Sequence, residues 1–570
     1  ENLGADNSVT MIKAYPKQEL YPLTENQRGL YIDWEMHRDT TQYNIPAVLK
    51  FTDKTAEGLE KAVRTAFAAH GYLKTRFVLT DEDVMQKLCE EETEILVQKL
   101  DKEPGTAFFQ SRVRPFDLLN ERLYRVEIYS VPKAVYLFMD IHHIIYDGLS
   151  SSVLMNDILS AYDGKPVEAE KITACDFALH EKEILASEAF TRAEIRFDSL
   201  VGEAASVNYP ASAKPDGKAT GTVTASVAAD IVDSFCRKNS VTANSFMQAA
   251  FAETLHRITR EENPLYVTIS NGRFDGAALE RSMGMFVKTL PVVLQTIATP
   301  FGKGGQGGFG PANNANHANG ANSANGSDNA QTHGEQKVSD YVQTMHRQLQ
   351  ESYASDFYPY TRIVERHGLH AGIMFAYQGG LYEGANIVDD GIENISLQLD
   401  TVKFPITFIV YPHNDEYVIT AEYDGMKYCR CDMQILADAV AKAAISMATA
   451  ERIKDVSLVS KEQETAIIAA SAGEKLEYNK TQTWIDMFKH QAEVVDHISS
   501  ITYKELDRQS DSVAAYLLNN GIKDNDFVAV KMGRVKEFIT AVLGINKAGA
   551  AYVPVDSDYP EERIEFMLED

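Results

Sequence analysis

The residue types best suited to chemistry in this sequence stand close together: His142, His143, Asp147 and Gly148. Histidine changes charge near neutral pH, so it can take up or release a proton during a reaction. Asp147, four residues after His143, can hydrogen-bond an imidazole or pair with a cation that shapes the loop. The structural alternative is a core histidine, a surface histidine and a helix cap. The combination at the end of an apolar run favours the chemical interpretation.

An apolar run predicts the element that positions the histidines. The run from Val135 through Ile141 is typical of a buried strand bounded by turn residues. After a short loop comes a helical pattern, which Asp147 or Ser150 caps and the Asp-Gly pair at 163–164 closes. Because neighbouring strand residues point to opposite faces, we expect one histidine to face a crevice and the other to face the interior.

The stretch from Phe138 to Ser151 closely resembles the active-site motif His-His-x-x-x-Asp-Gly of condensation domains of non-ribosomal peptide synthetases. That family has the chloramphenicol acetyltransferase fold. The resemblance implies an α/β protein of two lobes in a V shape, with a tunnel between them. It also implies amide-bond formation, in which the free amine of an acceptor attacks the thioester of a donor. Both substrates are expected on phosphopantetheine arms of separate carrier domains.

The resemblance assigns the chemistry to the second histidine, so we expect His143 to face the tunnel and His142 to face inward. A neutral His143 can accept the proton lost as the amine attacks, or hold the amine in line, and the sequence does not separate these roles. Gly148 offers a backbone N–H as an oxyanion donor, since no side chain stands in the way. His142 and Asp147 are expected mainly to hold the loop.

Two further segments resemble motifs near the substrate tunnel of this family. Gln27 and Arg28 match the Gln-x-Arg element that opens the domain, without its intervening residue. Phe286 and Lys288 lie in a segment that resembles Gly-x-Phe-Val-Asn-Thr, with the lysine in place of the asparagine. We expect these four residues to lie near the tunnel, where Lys288 either changes which acceptor is preferred or is solvated.

A third segment bears on the partner of Asp147. Residues 69–77 resemble the motif Arg-His-x-x-Leu-Arg-Thr, with Ala69 and Lys74 in place of its two arginines. An arginine of this region is thought to anchor the active-site aspartate in the family. Because lysine and arginine are not equivalent in a bidentate pair, Lys74 and Arg76 stay alternative partners of Asp147. A solvated charge beside a strand is the third alternative.

The motifs divide the chain into a predicted linker at 1–20 and a condensation domain at 21–456, with lobes at 21–172 and 173–456. Residues 302–336 are rich in Gly, Asn, Ala and Ser. Such a composition buries too little apolar surface to offset its ordering entropy, so we predict a disordered surface loop inside the second lobe. His317 and His333 lie in this loop, carry little weight as metal ligands, and no metal site is predicted.

A second resemblance follows a polar linker predicted at 457–480. Residues 501–506 and 546–556 look like the first two motifs of adenylation domains, so 481–570 is predicted to be the truncated start of one. The chain ends before the phosphate-binding loop of such enzymes, and it begins with Glu1, so we expect a fragment of a longer protein. We expect this fragment to bind no cofactor and to show only background ATP–pyrophosphate exchange. ATP and Mg are expected to serve the complete adenylation domain only.

Net charge, apolar runs and cysteine content indicate which partners and which compartment to expect. A net charge of −27 and the lack of a basic stripe argue against a nucleic-acid partner. No apolar run approaches the ~18 residues of a membrane span. Five scattered cysteines are typical of reduced thiols in the cytoplasm. The expected partners are an upstream donor carrier domain, a downstream acceptor carrier domain and the remaining adenylation domain in cis.

Other activities of the same fold agree less well with the sequence. His142 argues against heterocyclising domains, which carry aspartate at this position. The adenylation-like segment argues against epimerising domains and against free-standing acyltransferases that use coenzyme A. Ester formation, coenzyme A-dependent acyl transfer and a non-catalytic carrier-docking module stay open as alternatives.

Overall fold

The computed structural model describes residues 11–202, 204–207, 209–273, 276–294, 333–379, 392–397, 402–473, 484, 493–495, 500–533 and 535–569. Most of the predicted loop, including His317, lies outside these residues. The chain divides into two compact units, residues 1–464 and 465–570.

The first lobe of the larger unit carries the histidine strand. Its strands are β1 (Tyr21–Pro22), β2 (Asn44–Phe51), β3 (Thr75–Leu79), β4 (Val84–Leu88), β5 (Leu96–Lys99), β6 (Tyr124–Val131) and β7 (Ala134–His142). Its helices are α1 (Glu25–Met36), α2 (Ala56–Ala69), α3 (Thr106–Gln110) and α4 (Gly148–Tyr162).

The second lobe follows in sequence. Its helices are α5 (Ala174–Leu185), α6 (Glu188–Val201), α7 (Ala229–Asn239), α8 (Ala243–Thr259), α9 (Gly276–Leu279), α10 (Val338–Tyr353), α11 (Tyr360–His367) and α12 (Arg430–Met447). Its strands are β8 (Ala205–Ser206), β9 (Thr220–Ala228), β10 (Pro264–Ser270), β11 (Lys288–Val293), β12 (Ile373–Tyr377), β13 (Ile392–Asn394), β14 (Ile406–His413) and β15 (Glu416–Asp424).

Strand β7 lies in the middle of the main sheet of the first lobe, whose order is β13-β2-β7-β6-β5. Every residue of β7 is buried. Helices α2 and α4 cover one face of the sheet through Phe67 and Leu154. Helix α3 covers the other face through Phe109. The apolar run is therefore a strand buried on both faces, which confirms the prediction and gives the histidines a rigid support.

The second lobe is built on a sheet with the order β11-β10-β12-β14-β15-β9, and β8 pairs with β10 off this path. One face packs against α7, α8, α10 and α12 in an apolar core that includes Phe251 and Phe408. On the other face, α6 and α11 cover β10 and β11 through Phe197 and Ile363. Along β15 the same face carries exposed Glu422.

The two lobes exchange segments, so the predicted boundary at 172–173 describes sequence order but not packing. Strand β13 comes from second-lobe sequence but joins the first-lobe sheet by antiparallel pairing with β2. Leu279, Met283 and Phe286 are likewise buried in the core of the first lobe. The sequence did not reveal this exchange, because a short strand carries no local sign of the sheet that it joins.

The predicted linkers differ in part from the structure. Ile12 packs into the first-lobe core, and the Tyr15 N–H donates to Asp176 Oδ1 at 2.8 Å, so residues 11–20 belong to the packed domain. In the second predicted linker, α13 (Lys461–Ser471) is a helix without a buried residue. Exposed residues can still form a helix, since helical hydrogen bonds are local.

The last four residues of the predicted disordered loop pack against the second lobe, so the prediction is wrong there. His333 is 3% exposed, and its Nε2 lies 2.8 Å from Oε2 of Glu253 in α8. Arg257 pairs with the same carboxylate at 2.6 Å. Burial opposes ionisation, but these two partners lower the pKa of Glu253. Composition over 302–336 misses this contact, because one buried histidine hardly changes the average.

We expect the effect of replacing this segment on the melting temperature to depend on the residue at which the replacement ends. Replacing 302–332 with a short Gly/Ser linker is expected to leave the melting temperature nearly unchanged, because the composition predicts no packed contacts. Extending the replacement to 336 removes His333 and is expected to lower it by roughly 5–10 °C, since Glu253 loses a buried partner. Thermal melts of the two variants test this. Equal melting temperatures, or a large fall with the shorter replacement, contradict it.

The smaller unit is also α/β. Its strands are β16 (Glu493–Val495), β17 (Ser500–Thr502), β18 (Phe527–Lys531) and β19 (Ala551–Val555), and its helices are α14 (Tyr503–Asn519), α15 (Lys536–Lys547) and α16 (Glu561–Glu569). Strands β18 and β19 pair in parallel. In the described part of both units, no helix combines the length and apolar character needed to cross a membrane.

Candidate active site

His142 and His143 stand where β7 ends and a 3-10 turn, His143–Ile145, begins. His142 is 3% exposed, and its Nδ1 accepts the Ile144 N–H at 3.2 Å. His143 is half-buried, and its backbone N–H donates to the Tyr43 carbonyl oxygen at 2.8 Å. His142 is therefore buried and His143 is partly accessible, and the tunnel-facing direction of His143 stays a prediction. The turn, rather than strand alternation, separates their directions.

Both histidines are neutral at physiological pH. Burial is the main reason that the pKa of each lies at about 3, and the positive charge of Lys403 acts in the same direction. Among the residues that the structure describes, none hydrogen-bonds the buried Nδ1 of His143. Its Nε2 is therefore the ring nitrogen that a substrate can reach, and it can accept a hydrogen bond from an N–H group.

Asp147 shapes the loop that follows. It is 2% exposed, and its Oδ1 caps α4 by accepting the Ser150 N–H and the Ser150 hydroxyl, both at 2.8 Å. Its Oδ2 accepts the Phe286 N–H at 3.1 Å. Of the two predicted caps, Asp147 is the one that the structure uses, and Ser150 is its partner.

Gly148 begins α4 and is exposed. A Cβ at this position meets no atom within 4 Å, so the space beside the backbone is open. Its N–H has no hydrogen-bond partner within the described segments. A free N–H in the first turn of a helix points along the positive end of the helix dipole, which suits it to an oxyanion.

The partner of Asp147 is Arg273 of the second lobe, so both predicted partners, Lys74 and Arg76, are wrong. Arg273 forms a bidentate pair with Asp147 at 2.9 and 3.0 Å, and both side chains are 2% exposed. Arg76 pairs instead with Glu91 at 3.0 Å. Burial opposes ionisation of Asp147, but the Arg273 pair lowers its pKa. The loop after His143 is thus anchored to the opposite lobe.

A glycine brings Arg273 to this position. Gly272 has a φ of +63°, in the left-handed region that favours glycine. A Cβ on Gly272 would lie 1.8 Å from the Phe286 carbonyl oxygen, so this close approach excludes any side chain. The only sequence signal was a Gly-Arg pair just after a predicted buried strand, and nothing local connects it to Asp147, 126 residues earlier.

Gln27 and Arg28, predicted near the tunnel, support the site from outside it. Gln27 is 1% exposed, and its Nε2 donates to the Ile144 carbonyl oxygen at 3.0 Å. It therefore holds the turn that begins at His143. Arg28 forms a bidentate surface pair with Asp83 at 2.9 and 2.7 Å. Gln27 is thus buried and Arg28 is partly exposed, and their place near the tunnel stays a prediction.

Phe286 and Lys288 are also buried rather than accessible. Phe286 is 1% exposed, and the guanidinium of Arg273 lies 4.4 Å from its ring centroid. Lys288 Nζ lies 2.8 Å from Glu181 Oε1, and both side chains are at most 5% exposed. The expectation that Lys288 is solvated is wrong, because it is buried and paired. Its effect on the preferred acceptor stays a prediction.

Lys403 is a neighbour of the histidines that the sequence did not single out. It lies just before β14, and its side chain is exposed, yet desolvation lowers its pKa to about 8. A side chain that solvent reaches but protein surrounds lines a recess rather than a convex surface. We call the space next to His143 and Lys403, on the loop that leads to Gly148, the His143 recess. A lone lysine ahead of a predicted strand offers no sequence signal of this role.

The His143 recess suits acyl transfer. It combines a neutral imidazole, which can hold a nucleophile, with a free N–H, which can stabilise an oxyanion. The buried Asp147–Arg273 pair holds in place the loop that carries these two groups. Within the described segments, no group of three His, Cys, Asp or Glu side chains is placed to hold a metal ion.

The chain is similar to known synthetases along its length. The profile of the condensation domain matches residues 17–303, about half of the chain, and that of the AMP-binding enzyme matches 481–570. Bacitracin synthase 2 of Bacillus licheniformis is 24% identical over 595 residues, which cover 98% of this chain and 21% of that protein. Surfactin synthase subunit 1 of Bacillus subtilis (strain 168) is 25% identical over 603 residues, which cover 99% and 15%. The chain thus spans about a fifth or less of these relatives.

Solved structures share the fold. FmoA3, a nonribosomal peptide synthetase in an AMPPNP-bound form, superposes with a TM-score of 0.73 and 15% identity, covering 98% of this chain and 58% of FmoA3. The first condensation domain of the CDA synthetase superposes with a TM-score of 0.57 and 14% identity, covering 77% of this chain and 99% of that domain. The profile match and the synthetase relatives show that this chain belongs to the condensation-domain family and continues into the start of an AMP-binding domain.

Proposed function

We propose that the His143 recess forms an amide bond between two substrates held as thioesters on phosphopantetheine arms. The upstream carrier domain presents the donor acyl group, and the downstream carrier domain presents an acceptor with a free amine. The observation that carries the proposal is a neutral, half-buried His143 on the loop that leads to a Gly148 N–H without a partner among the described residues, in a member of the condensation-domain family.

The proposed reaction balances without a further reactant. The lone pair of the acceptor amine attacks the donor thioester carbonyl, the C–N bond forms, and the carbonyl oxygen becomes an oxyanion. The Gly148 N–H donates to that oxyanion. When the intermediate collapses, the C–S bond breaks and the donor arm leaves as a thiolate, which takes the proton that the amine loses.

The surroundings of His143 favour a positioning role. A base with a pKa of about 3 holds a proton only briefly near neutral pH. His143 Nε2 therefore accepts a hydrogen bond from the amine, keeps its lone pair aimed at the carbonyl, and passes the proton on to the departing sulfur. Holding two reactants in line in this way accounts for a large part of the rate gain in enzymes.

The segment 481–570 is proposed to belong to an adenylation domain that needs further sequence to act. ATP and Mg would then take part in loading the carrier and not in the His143 recess. All five cysteines are free, which agrees with the proposed site of action in the reducing cytoplasm.

The test is amide formation from two purified carrier domains, each loaded chemically with an aminoacyl-phosphopantetheine arm. Intact-protein mass spectrometry should show the donor arm emptied and the acceptor arm carrying the joined product. Replacing the donor carrier with an acyl-coenzyme A, or the acceptor amine with a hydroxyl, tests the two acyltransfer alternatives. Binding of both carriers without product is the outcome that defines a docking module and rejects the proposal.

A further inference from the structure

Lys403 places a positive charge from the second lobe beside the first-lobe histidines. Its Nζ lies 5.9 Å from the centroid of the Tyr43 ring. The Tyr43 carbonyl oxygen accepts the His143 N–H at 2.8 Å, and the Tyr43 ring lies 6.1 Å from that of His142. Lys403 therefore reaches across the His143 recess to the same few residues that position the imidazoles.

Lys403 differs from the buried cations near the site, because it has no carboxylate partner among the described residues. Arg273 is paired with Asp147, and Lys288 is paired with Glu181. Among the described residues, no carboxylate lies within ion-pair distance of Lys403. Without a close ion pair, the charge of Lys403 is available to act on whatever enters the recess.

The described titratable groups around Lys403 form no ion pair with it. From the first lobe, His142, His143 and the Tyr43 phenol face it, and all three are neutral because burial lowers the pKa of the histidines and raises that of the tyrosine. From the second lobe, Glu422 on β15 interacts with it electrostatically but does not lie within ion-pair distance of it.

Other charged groups near the histidines do not cancel Lys403. Asp147 is already neutralised by its bidentate pair with Arg273. Arg125, which also acts on His142, is neutralised by Asp140 at 2.9 Å. Among the described residues, Lys403 is therefore the cation beside the histidines that no close ion pair neutralises.

We propose that Lys403 keeps the acceptor amine in its neutral, nucleophilic form when that amine lies at His143. The inference rests on the proposed function. An α-amino group has a pKa of about 7.7–8.0, so only a minor fraction is neutral at pH 7. A fixed cation a few ångströms away repels the ammonium form in an enclosed site and shifts this balance towards the free amine. Lys403 thus acts on the substrate through its charge, while His143 makes the contact.

The first experiment is the pH profile of single-turnover amide formation for Lys403→Met. We expect the variant to be about tenfold slower than wild type at pH 6.5 and to converge with it above about pH 9. At high pH the amine is neutral without help, and Lys403 has itself lost its proton. Lys403→Arg keeps the charge and is expected to restore the rate at low pH. A loss that is equal at all pH values indicates a packing role and overturns the proposal.

A matched control comes from the same lobe. Lys427 also lies over a tyrosine ring, with its Nζ 5.3 Å from the centroid of Tyr428, but no interaction links it to His142 or His143. Lys427→Met therefore removes a similar cation and a similar ring contact away from the recess. It is expected to leave the pH profile unchanged. A profile like that of Lys403→Met would show that the effect is not local and would also overturn the proposal.

The second experiment does not require condensation activity. The imidazole signal of His143, identified by its loss in His143→Gln, is titrated by NMR in the wild type and in Lys403→Met. We expect the pKa of His143 to rise by about one unit in the variant, because a nearby cation is gone. If the wild type forms no amide, the proposed function fails. An unchanged pKa of His143 in Lys403→Met overturns the role of Lys403, whether or not the wild type forms an amide.

Discussion

His143→Ala is expected to slow amide formation by about 10²–10⁴-fold while the protein stays folded. The variant loses the group that aligns the acceptor amine, while the Nδ1 atom that is removed has no hydrogen-bond partner among the described residues. The measurement is single-turnover product formation from two loaded carriers, alongside thermal melts. Carrier binding should survive, because His143 lies at the end of a recess and not on the outer surface.

His142→Ala is the matched comparison. His142 is 3% exposed, and its Nδ1 accepts the Ile144 N–H, so its removal is expected to lower the melting temperature and to misplace the loop. His143→Gln separates the two roles of His143, because its amide oxygen accepts a hydrogen bond but does not take up a proton. A near-normal rate for His143→Ala, or unfolding by His143→Ala but not by His142→Ala, would show that the two faces are assigned wrongly.

Arg273→Met is expected to lower the free energy of unfolding by about 3–5 kcal/mol. The substitution leaves the Asp147 carboxyl, at 2% exposure, without its ion-pair partner at the point where the two lobes meet. The urea midpoint of the larger unit is the measurement. Trp34 reports it through fluorescence in a Trp484→Phe background, because the chain has two tryptophans and Trp34 is buried in the first-lobe core.

Two further variants test the explanation for Arg273→Met. Asp147→Asn combined with Arg273→Met removes both charges and is expected to recover part of the loss. Arg76→Met breaks the pair with Glu91, in which both side chains are more than a quarter exposed, so it should cost no more than about 1 kcal/mol. Equal losses for Arg76→Met and Arg273→Met would contradict the assignment of Arg273 as the anchor.

Much of the first lobe could be predicted from the sequence, because its signals are local. The run ending at His142 carries enough apolar side chains to predict a strand buried on both faces, and β7 has that burial. Asp147 was predicted as one of two caps of the next helix, since a capping side chain bonds a backbone N–H three residues on. The spacing of these residues was also sufficient to indicate the family.

The parts that the sequence could not decide depend on residues far apart in the chain. Motif resemblance placed Gln27, Arg28, Phe286 and Lys288 near the tunnel, but a motif does not say which way a side chain points. In the structure three of them are buried as supports, and Arg28 pairs on the surface. Burial and pairing follow from packing against several elements at once, and no short stretch of sequence contains that information.

By itself, the sequence determined the histidine strand, the capped helix after it, the family and the two candidate catalytic groups, His143 and Gly148. Only the tertiary structure decided that Arg273 anchors Asp147 and that Lys403 lies across the recess from His143. The physical reason is the distance along the chain between the residues that interact. Helix caps and strand periodicity arise between residues a few positions apart, whereas the charges that hold and tune this site meet only when the two lobes pack together.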